Sequence, residues 1–250
     1  MNIVNKLNKE LLRQDFPEGE AWAMELEQYK EIAYHYAYIE NVLSVLSDMH
    51  TNQSYLFYGG FAKSFGMIPS QKDHQINSIW EEDILQRIHT EDLSGKFIQE
   101  LQFFHFLQKL PPNKRSDYYL ASKLRMKDLS GNYLTVLHRM FYISEPSGNS
   151  IRFALCLYGP LTSHLPYKSV IVNSVTGEMQ ELNPQHKNIL TNRELQILQL
   201  IHQGRSSKQI ADTLSISIHT VSRHRQEILK KLQVRNSMEA CRIAKDIGLL

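Results

Sequence analysis

Hydrophobic residues in the C-terminal part of the chain recur at helical spacing in four short segments, each bounded by start and stop signals. The first helix is predicted to begin after Thr191, because the Thr191 hydroxyl can cap the amide of Glu194 while the Glu194 carboxylate reaches back. Gly204 can end this helix in a left-handed turn. Ser206 and Gln209 offer the same kind of capping box to a second, shorter helix.

A third helix is predicted over Ile218–Leu232, with Ser217 as its cap, and a fourth over Asn236–Ile247. The connection Leu214–Ser217 is so short that the chain must reverse direction between the second and third helices. The inward stripe of the third helix is expected to consist of Val221, His224, Ile228 and Leu232. This order predicts an all-α four-helix domain that contains a helix-turn-helix.

The opposite face of the third helix is polar throughout, and it consists of His219, Ser222, Arg223, Gln226 and Lys230. Donors and acceptors of this kind can read base edges and phosphates in a DNA major groove. An ordinary amphipathic helix with a solvated face has a similar composition, so the pattern has a second interpretation. The short helix and tight turn ahead of the third helix favour DNA binding, because they place it at the surface of the domain.

The N-terminal part alternates between helical and strand patterns, which predicts an α+β domain with an antiparallel sheet and flanking helices. An aromatic-rich helix is predicted over residues 20–47, and His50–Gln53 suits the turn of a hairpin. Gly66 is expected to close a short helical turn over Phe61–Phe65. The other predicted helices are Ile84–His89 and Asp92–Leu107, and the predicted strands are Val45–Met49, Ser54–Tyr58, Asp117–Met126, Tyr133–Ser144, Ile151–Tyr158 and a last pair within Val170–Leu182.

The length of 250 residues favours two domains, since one domain usually holds roughly 100–200 residues. We predict an N-terminal helical segment over 1–38, the α+β domain over 39–182, a linker over 183–189 and the helical domain over 190–250. Pro184 supports the linker because proline lacks an amide donor. The hydrophobic content of 42% allows each domain to form a core.

Several classes of protein are disfavoured by simple counts. The longest apolar run, around Phe153–Tyr158, is far shorter than the about twenty residues that span a membrane. The N-terminus lacks the apolar block of a secretion signal. Cys156 and Cys241 are the two cysteines, too few for a disulfide framework or a cysteine-based zinc site. We therefore expect a cytoplasmic protein.

The positive charge is concentrated at the C-terminus. Residues 191–250 contain ten Lys and Arg against five Asp and Glu, whereas the rest of the chain contains eighteen against twenty-one. This asymmetry favours a polyanion as the partner of the C-terminal domain.

Leu190–Leu250 resembles the DNA-binding domain of the LuxR/FixJ family of bacterial regulators. The matching features are the Leu-Thr-x-Arg-Glu opening, Ile210-Ala211, Thr220-Val221, His224, the run Ile228–Leu232 and Gly248-Leu249. The resemblance implies that the third helix enters the major groove with Ser222, Arg223 and Gln226 as base-reading residues, and that the fourth helix contributes to a homodimer. Ser215 departs from the family pattern, where Gly or Asn is common, so the turn is expected to be slightly strained.

The chemistry of the side chains assigns their expected roles. Arg223 suits bidentate contact with guanine, Gln226 suits adenine, and His219 can also reach a base. The expected phosphate contacts are Lys208, Thr220, Arg225, Lys230 and Lys231. Arg225 lies nearer the core, so an internal ion pair is an open alternative. The expected dimer contacts on the fourth helix are Met238, Cys241, Arg242 and Lys245.

The α+β region resembles a PAS domain, a fold that senses small molecules or mediates dimerisation. The resemblance rests on Phe65-Gly66, Ile88–Asp92, Lys127-Asp128 and Gly131–Tyr133, with Thr90 departing from the pattern, where proline is common. It implies a possible cavity for a small-molecule ligand, and no specific cofactor is identifiable. Cys156 lies in a predicted strand, unlike the reactive cysteine of flavin photosensors. His89 and His105 are candidate haem ligands, but packed or surface histidines are the simpler interpretation.

These features favour a sequence-specific DNA-binding transcription regulator that forms a homodimer and whose activity is modulated by the PAS-like domain. One alternative is a protein-interaction adaptor whose helix-turn-helix no longer binds DNA. A second is a small-molecule-binding enzyme tethered by a basic tail, but the chain has no combination of nucleophile, base and acid that supports it. A phosphorylated receiver domain is likewise not indicated.

Overall fold

The computed structural model describes residues 3–16, 21–67, 74–144, 150–162, 164–182, 190–232, 234–246 and 249–250. The predicted linker over 183–189, the turn at Pro146–Asn149 and Gly248 lie outside these residues. The helices of the N-terminal part are α1 (Ile3–Leu12), α2 (Ala21–Ile39), α3 (Glu82–Leu85), α4 (Thr90–Gln108) and α5 (Pro112–Arg115), with a 3-10 helix over Gly60–Phe65.

The strands form one antiparallel sheet. They are β1 (Leu43–Asp48), β2 (Gln53–Tyr58), β3 (His74–Ile76), β4 (Tyr118–Lys127), β5 (Tyr133–Ser144), β6 (Ile151–Pro160), β7 (Ser169–Asn173) and β8 (Met179–Glu181). The sheet order is β3-β2-β1-β6-β5-β4-β7-β8. The predicted α+β fold class with a PAS-like antiparallel sheet is confirmed.

The prediction of one helix over residues 20–47 is wrong at its C-terminal end, because α2 stops at Ile39 and β1 begins at Leu43. Asn41 between them adopts φ 55°, a left-handed conformation that asparagine tolerates better than most residues. Close contact with Gly59 fixes this corner: its amide donates to the carbonyl oxygen of Val42 at 2.8 Å. A Cβ at Gly59 would lie 2.1 Å from the carbonyl oxygen of Ala37, so the approach requires glycine.

The two faces of the sheet bury different helices. Helix α2 packs on the outer face, where Ala33 and Ala37 contact a cluster that includes Leu46, Phe153 and Leu157. Helix α4 covers the inner face, and α1 packs against α4 in the same core. Of the two N-terminal helices, α2 therefore packs directly on the sheet and α1 packs on α4. Strand β6 is buried on both faces, which explains its nearly continuous apolar sequence.

Four helices follow the α+β part: α6 (Asn192–His202), α7 (Ser207–Leu214), α8 (Ile218–Leu232) and α9 (Ser237–Asp246). Capping boxes are present at Thr191 with Glu194 and at Ser206 with Gln209, as the sequence predicted. Gly204 has φ 79° just after α6. The ends of α6 and the start of α7 are thus set by local signals.

The helical part contacts the α+β part through α9, which packs against α4. The Arg242 guanidinium on α9 forms an ion pair with Glu91 in the first turn of α4. Glu91 also accepts a hydrogen bond from Arg125 at 2.8 Å. Asp92 beside it accepts bonds from Arg125 and Lys168. An ionic network therefore joins α9, α4 and β4.

None of the described helices combines the length and the apolar character that crossing a membrane requires.

Candidate nucleic-acid interface

The turn before α8 is held by specific hydrogen bonds. Ser215 ends α7 with φ 52° and ψ 46°, a left-handed conformation. The sequence predicted a slightly strained turn here, because Ser215 stands where Gly or Asn is common in the family. The amide of Ile216 donates to the carbonyl oxygen of Ala211 at 3.0 Å. The Arg193 guanidinium donates to the carbonyl oxygen of Leu214 at 2.9 Å, which ties α6 to the turn. The start of α8 is thus fixed relative to the two helices before it.

The Ser217 hydroxyl caps α8 by accepting the amide hydrogen of Thr220 at 3.0 Å. Behind the cap, Val221, Ile228 and Leu232 are fully buried in the core shared with α6, α7 and α9. The predicted inward stripe is present at these three positions. His224, expected on the same stripe, is only half-buried.

The outer face of α8 is exposed and carries all the polar residues predicted to read DNA bases: His219, Ser222, Arg223 and Gln226. Lys230 is exposed on the same side, and Lys208 on α7 is exposed as well. Within the part of the chain that the structure describes, Arg223 and Lys230 form no ion pair with a carboxylate. Their positive charges are therefore available to an anion from outside the protein.

Three residues expected to contact phosphates are engaged inside the domain. The Arg225 guanidinium donates to the hydroxyls of Ser207 at 3.0 Å and Ser237 at 2.9 Å. The side chain of Arg225 is thus held inside the domain, but both partners are uncharged hydroxyls, so these contacts are not the internal ion pair left open as the alternative. The Thr220 hydroxyl lies 2.9 Å from the hydroxyl of Ser217.

Lys231 is the third. The structure places its ammonium 2.6 Å and 2.7 Å from the two carboxylate oxygens of Glu194, so its charge is already paired inside the domain. Glu194 is buried, and burial alone would raise its pKa. Hydrogen bonds from Lys231 and Thr191 outweigh burial, so the pKa of Glu194 is lowered. Lys231 therefore stabilises the junction of α6 and α8.

The predicted dimer contacts on α9 have different surroundings. Met238 is 83% exposed, an unusual position for a large apolar side chain, and Lys245 is also exposed. Cys241 is half-buried, and burial raises the pKa of its thiol. Arg242 was expected in a dimer contact, but the structure places it on Glu91 of the same chain. Arg242 is therefore not a free member of the exposed surface.

The candidate haem ligands have structural roles. The Nδ1 atom of His89 accepts the amide hydrogen of Glu91 at 3.3 Å and caps α4. His105 pairs with Glu10 of α1. Among the described residues, no group of three His, Cys, Asp or Glu side chains is placed to hold a metal ion.

Comparison with known proteins assigns the four-helix part. The model of the family described as bacterial regulatory proteins, luxR family, matches residues 188–244, which include α6, α7, α8 and most of α9. Residues 188–244 are a LuxR-family helix-turn-helix domain. The predicted resemblance is confirmed for this domain.

Relatives of the LuxR-family domain are regulatory proteins by name. The Escherichia coli protein described as uncharacterized response regulatory protein YgeK is 47% identical over 62 residues, which cover 25% of this chain and 42% of YgeK. The Bacillus subtilis transcriptional regulatory protein DesR is 43% identical over 61 residues, which cover 24% of this chain and 31% of DesR. The chain thus spans less than half the length of these relatives. Among solved structures, a phage VqmA–DPO complex is 16% identical, with 89% of this chain and 91% of that chain covered and a TM-score of 0.32.

Proposed function

We propose that this protein is a sequence-specific DNA-binding transcription regulator that acts as a homodimer. The observation that carries the proposal is the outer face of α8, where exposed cationic and amide side chains lie on a capped helix. Among the residues that the structure describes, no carboxylate pairs with Arg223 or Lys230. A helix held in this way presents its N-terminal half to the major groove. Membership of the domain in a family of regulatory proteins supports the same function.

We propose a separate role for each segment of the chain. Residues 190–250 bind DNA, residues 39–182 sense a small molecule or contribute to dimerisation, residues 1–38 form an N-terminal helical segment, and residues 183–189 link the two parts. A regulator that binds bacterial chromosomal DNA would act in the cytoplasm. For the dimer, we propose Met238, Cys241 and Lys245 as contacts, because their exposed or half-exposed side chains share the outer side of α9.

The adaptor alternative predicts that the outer face of α8 has become a protein-binding surface. Such surfaces usually concentrate aromatic or apolar side chains at their centre. The five polar residues on this face of α8 provide none. DNA binding therefore agrees better with the composition of this surface.

Arg223→Ala is expected to reduce affinity for the preferred DNA site by about 1–3 kcal/mol and to relax discrimination at one base pair. The reason is the loss of a bidentate base contact. A selection of random duplexes by the full chain would first define the preferred site, and titrations of that site and its single-base variants would measure the change. An equal loss on every sequence would contradict a base-reading role.

Lys230→Ala is expected to weaken binding to all duplexes alike and to reduce the magnitude of the slope of log affinity against log salt by about 1, the value for one phosphate contact. The exposed ammonium of Lys230 neutralises a phosphate without reading sequence. Glu227→Gln, a charge change on the same helix away from the outer face, serves as the matched control. If neither Arg223→Ala nor Lys230→Ala changes DNA affinity, the adaptor alternative is favoured.

A further inference from the structure

Arg225 joins three helices of the LuxR-family domain, and the proposed DNA contacts do not account for it. The residue lies on α8 beside the buried stripe of Val221 and Ile228. Its guanidinium donates to the hydroxyl of Ser207, the first residue of α7, at 3.0 Å. It also donates to the hydroxyl of Ser237, the first residue of α9, at 2.9 Å. One side chain of α8 thus holds the starts of both neighbouring helices.

The bond to Ser237 gives direction to the junction of α8 and α9. Among the side chains that the structure describes, Arg225 is the only one on α8 that hydrogen-bonds to α9. Ala240, Ile243 and Ala244 of α9 are buried in the core to which α8 contributes. Apolar burial is non-directional, whereas a hydrogen bond requires a defined distance and angle. The orientation of α9 relative to α8 therefore depends on the contact between Arg225 and Ser237.

The chemistry of arginine suits a bridge better than it suits the stability of this junction. Ser207 and Ser237 lie at helix N-termini, where the helix dipole disfavours a cation. No carboxylate within the described part of the chain pairs with Arg225 to offset this cost. The planar guanidinium holds several donors in a rigid fork, so it can bond two hydroxyls at fixed angles. That rigidity is the property that an uncharged side chain at this position would lack.

The two helices that meet at Ser237 have different roles in the proposed function. Helix α8 carries the base-reading residues, and α9 carries the dimer contacts, of which Met238 directly follows Ser237. In a two-fold homodimer, the orientation of α9 relative to α8 sets the distance between the two copies of α8. Both copies must enter major grooves on one side of the duplex, about ten base pairs apart.

We infer that Arg225 is a positioning residue, which by its bond to Ser237 fixes α9 relative to α8 and so sets the half-site spacing that the homodimer accepts. This inference rests on the proposed function, and it names the contact that governs the specificity of the dimer for paired half-sites. Arg225 acts here through α9 and not through a contact with DNA.

Three duplexes measure the spacing requirement of the full chain. The first carries two half-sites at the separation that the selection of random duplexes returns. The second has about five base pairs inserted between them, which turns one half-site by roughly half a helical turn. The third carries a single half-site. We call the ratio of the affinities for the first and second duplexes the spacing ratio. A loss of stability alone leaves this ratio unchanged in a variant that circular dichroism shows to be folded at the temperature of the titration.

Ser237→Ala removes one hydroxyl and leaves Arg225 in place. The spacing ratio is expected to fall about 2- to 12-fold, the effect of one hydrogen bond, while affinity for the single half-site stays that of the parent chain. Ser207→Ala is the matched control, because it removes the same kind of hydroxyl from the first residue of α7 and leaves the bond to α9 intact. That variant is expected to keep the spacing ratio of the parent chain.

Arg225→Met distinguishes positioning from a phosphate contact. It removes both bonds of the guanidinium, so the spacing ratio is expected to fall at least as far as in Ser237→Ala. On the single half-site, its slope of log affinity against log salt is expected to match that of the parent chain. Lys230→Ala, in contrast, is expected to reduce the magnitude of this slope by about 1.

Three results would overturn the inference: an unchanged spacing ratio in Ser237→Ala, an equal fall in Ser207→Ala, or a salt slope reduced by about 1 in Arg225→Met, which would assign Arg225 to a phosphate. The parent chain tests the proposed function in the same experiment. A parent chain without DNA affinity contradicts the regulator, and one without a spacing preference contradicts the homodimer, and each result contradicts the inference as well. A parent chain that shows both, with a Ser237→Ala variant that behaves like it, contradicts the inference alone.

Discussion

Lys231→Ala is expected to destabilise the helix-turn-helix domain by about 3 kcal/mol. The substitution leaves the buried Glu194 carboxylate without the ammonium that now contacts both of its oxygens. Glu194 would keep its hydrogen bond from the amide of Thr191 at the N-terminus of α6, which is why the effect should stay at the lower end of the range for broken buried pairs.

Hydrogen exchange of the α6 and α8 amides reports the stability of this domain directly. Tryptophan fluorescence would not report it, because Trp22 and Trp80, the two tryptophans of the sequence, lie outside the domain. Lys230→Ala is the matched control at the adjacent position: it removes the same charge from an exposed side chain and should leave exchange unchanged while DNA binding weakens. Comparing the two variants therefore distinguishes a loss of domain stability from a loss of DNA binding. Equal exchange in the two variants would contradict a structural role for Lys231.

The effect of Lys231→Ala should also depend on pH. The pKa of Glu194 is lowered in the folded domain, so its pairing contributes stability above the ordinary carboxyl pKa and that contribution is lost as pH falls through the folded-state pKa. In the variant, burial acts without the lysine and the carboxyl binds a proton more readily. The stability difference between parent and variant should therefore narrow as the solution is acidified.

Local signals explain why the helical domain was predictable. Both capping boxes, the cap at Ser217 and the stop at Gly204 act within four residues of the helix ends they define, so their geometry follows from sequence spacing alone. The strands β5 and β6 were predictable for a related reason, since alternation or a continuous apolar run marks whether one or both faces are buried.

The partners of the candidate site residues were not predictable in the same way. Lys231 and Glu194 are 37 positions apart, and their contact depends on how α6 crosses α8. Arg242 meets Glu91 only because α9 packs on α4. A periodicity argument gives the face on which a side chain lies, but it does not give the charge that another element brings to that face. Arg223 lies on the exposed face that periodicity predicted, and no carboxylate within the described part of the chain pairs with it.

Asp92→Ala is expected to destabilise the α+β part by about 3 kcal/mol. The Asp92 side chain is 2% exposed and accepts hydrogen bonds from the backbone amide and guanidinium of Arg125, each at 2.9 Å, and from Lys168 at 3.0 Å. Alanine would leave two cations and a β4 amide without this acceptor. The Arg125 side chain is 41% exposed, so water compensates part of the loss.

Urea unfolding followed by tryptophan fluorescence would measure this effect, because Trp80 packs edge-on against Phe97 of α4. Glu40→Ala is the control, since Glu40 pairs with Arg139 at a more exposed position and its loss should cost less than about 1 kcal/mol. A similar shift in the two midpoints would contradict the structural weight assigned to Asp92.

Acidification should remove the contribution of Asp92 to the free energy of unfolding within a defined pH interval. Burial alone would raise its pKa, but the bonds from Arg125 and Lys168 lower it from 3.8 to about 2. A depressed pKa stabilises the fold above pH 3.8, and this contribution, about 2 kcal/mol, is lost as pH falls toward 2.

Hydrogen bonds from Arg242 and Arg125 also lower the pKa of Glu91 to about 2, so the contact between α9 and α4 should weaken over the same interval. In Asp92→Asn the urea midpoint should fall less steeply between pH 4 and pH 2 than in the parent chain, because one of the two titrating carboxyls is gone.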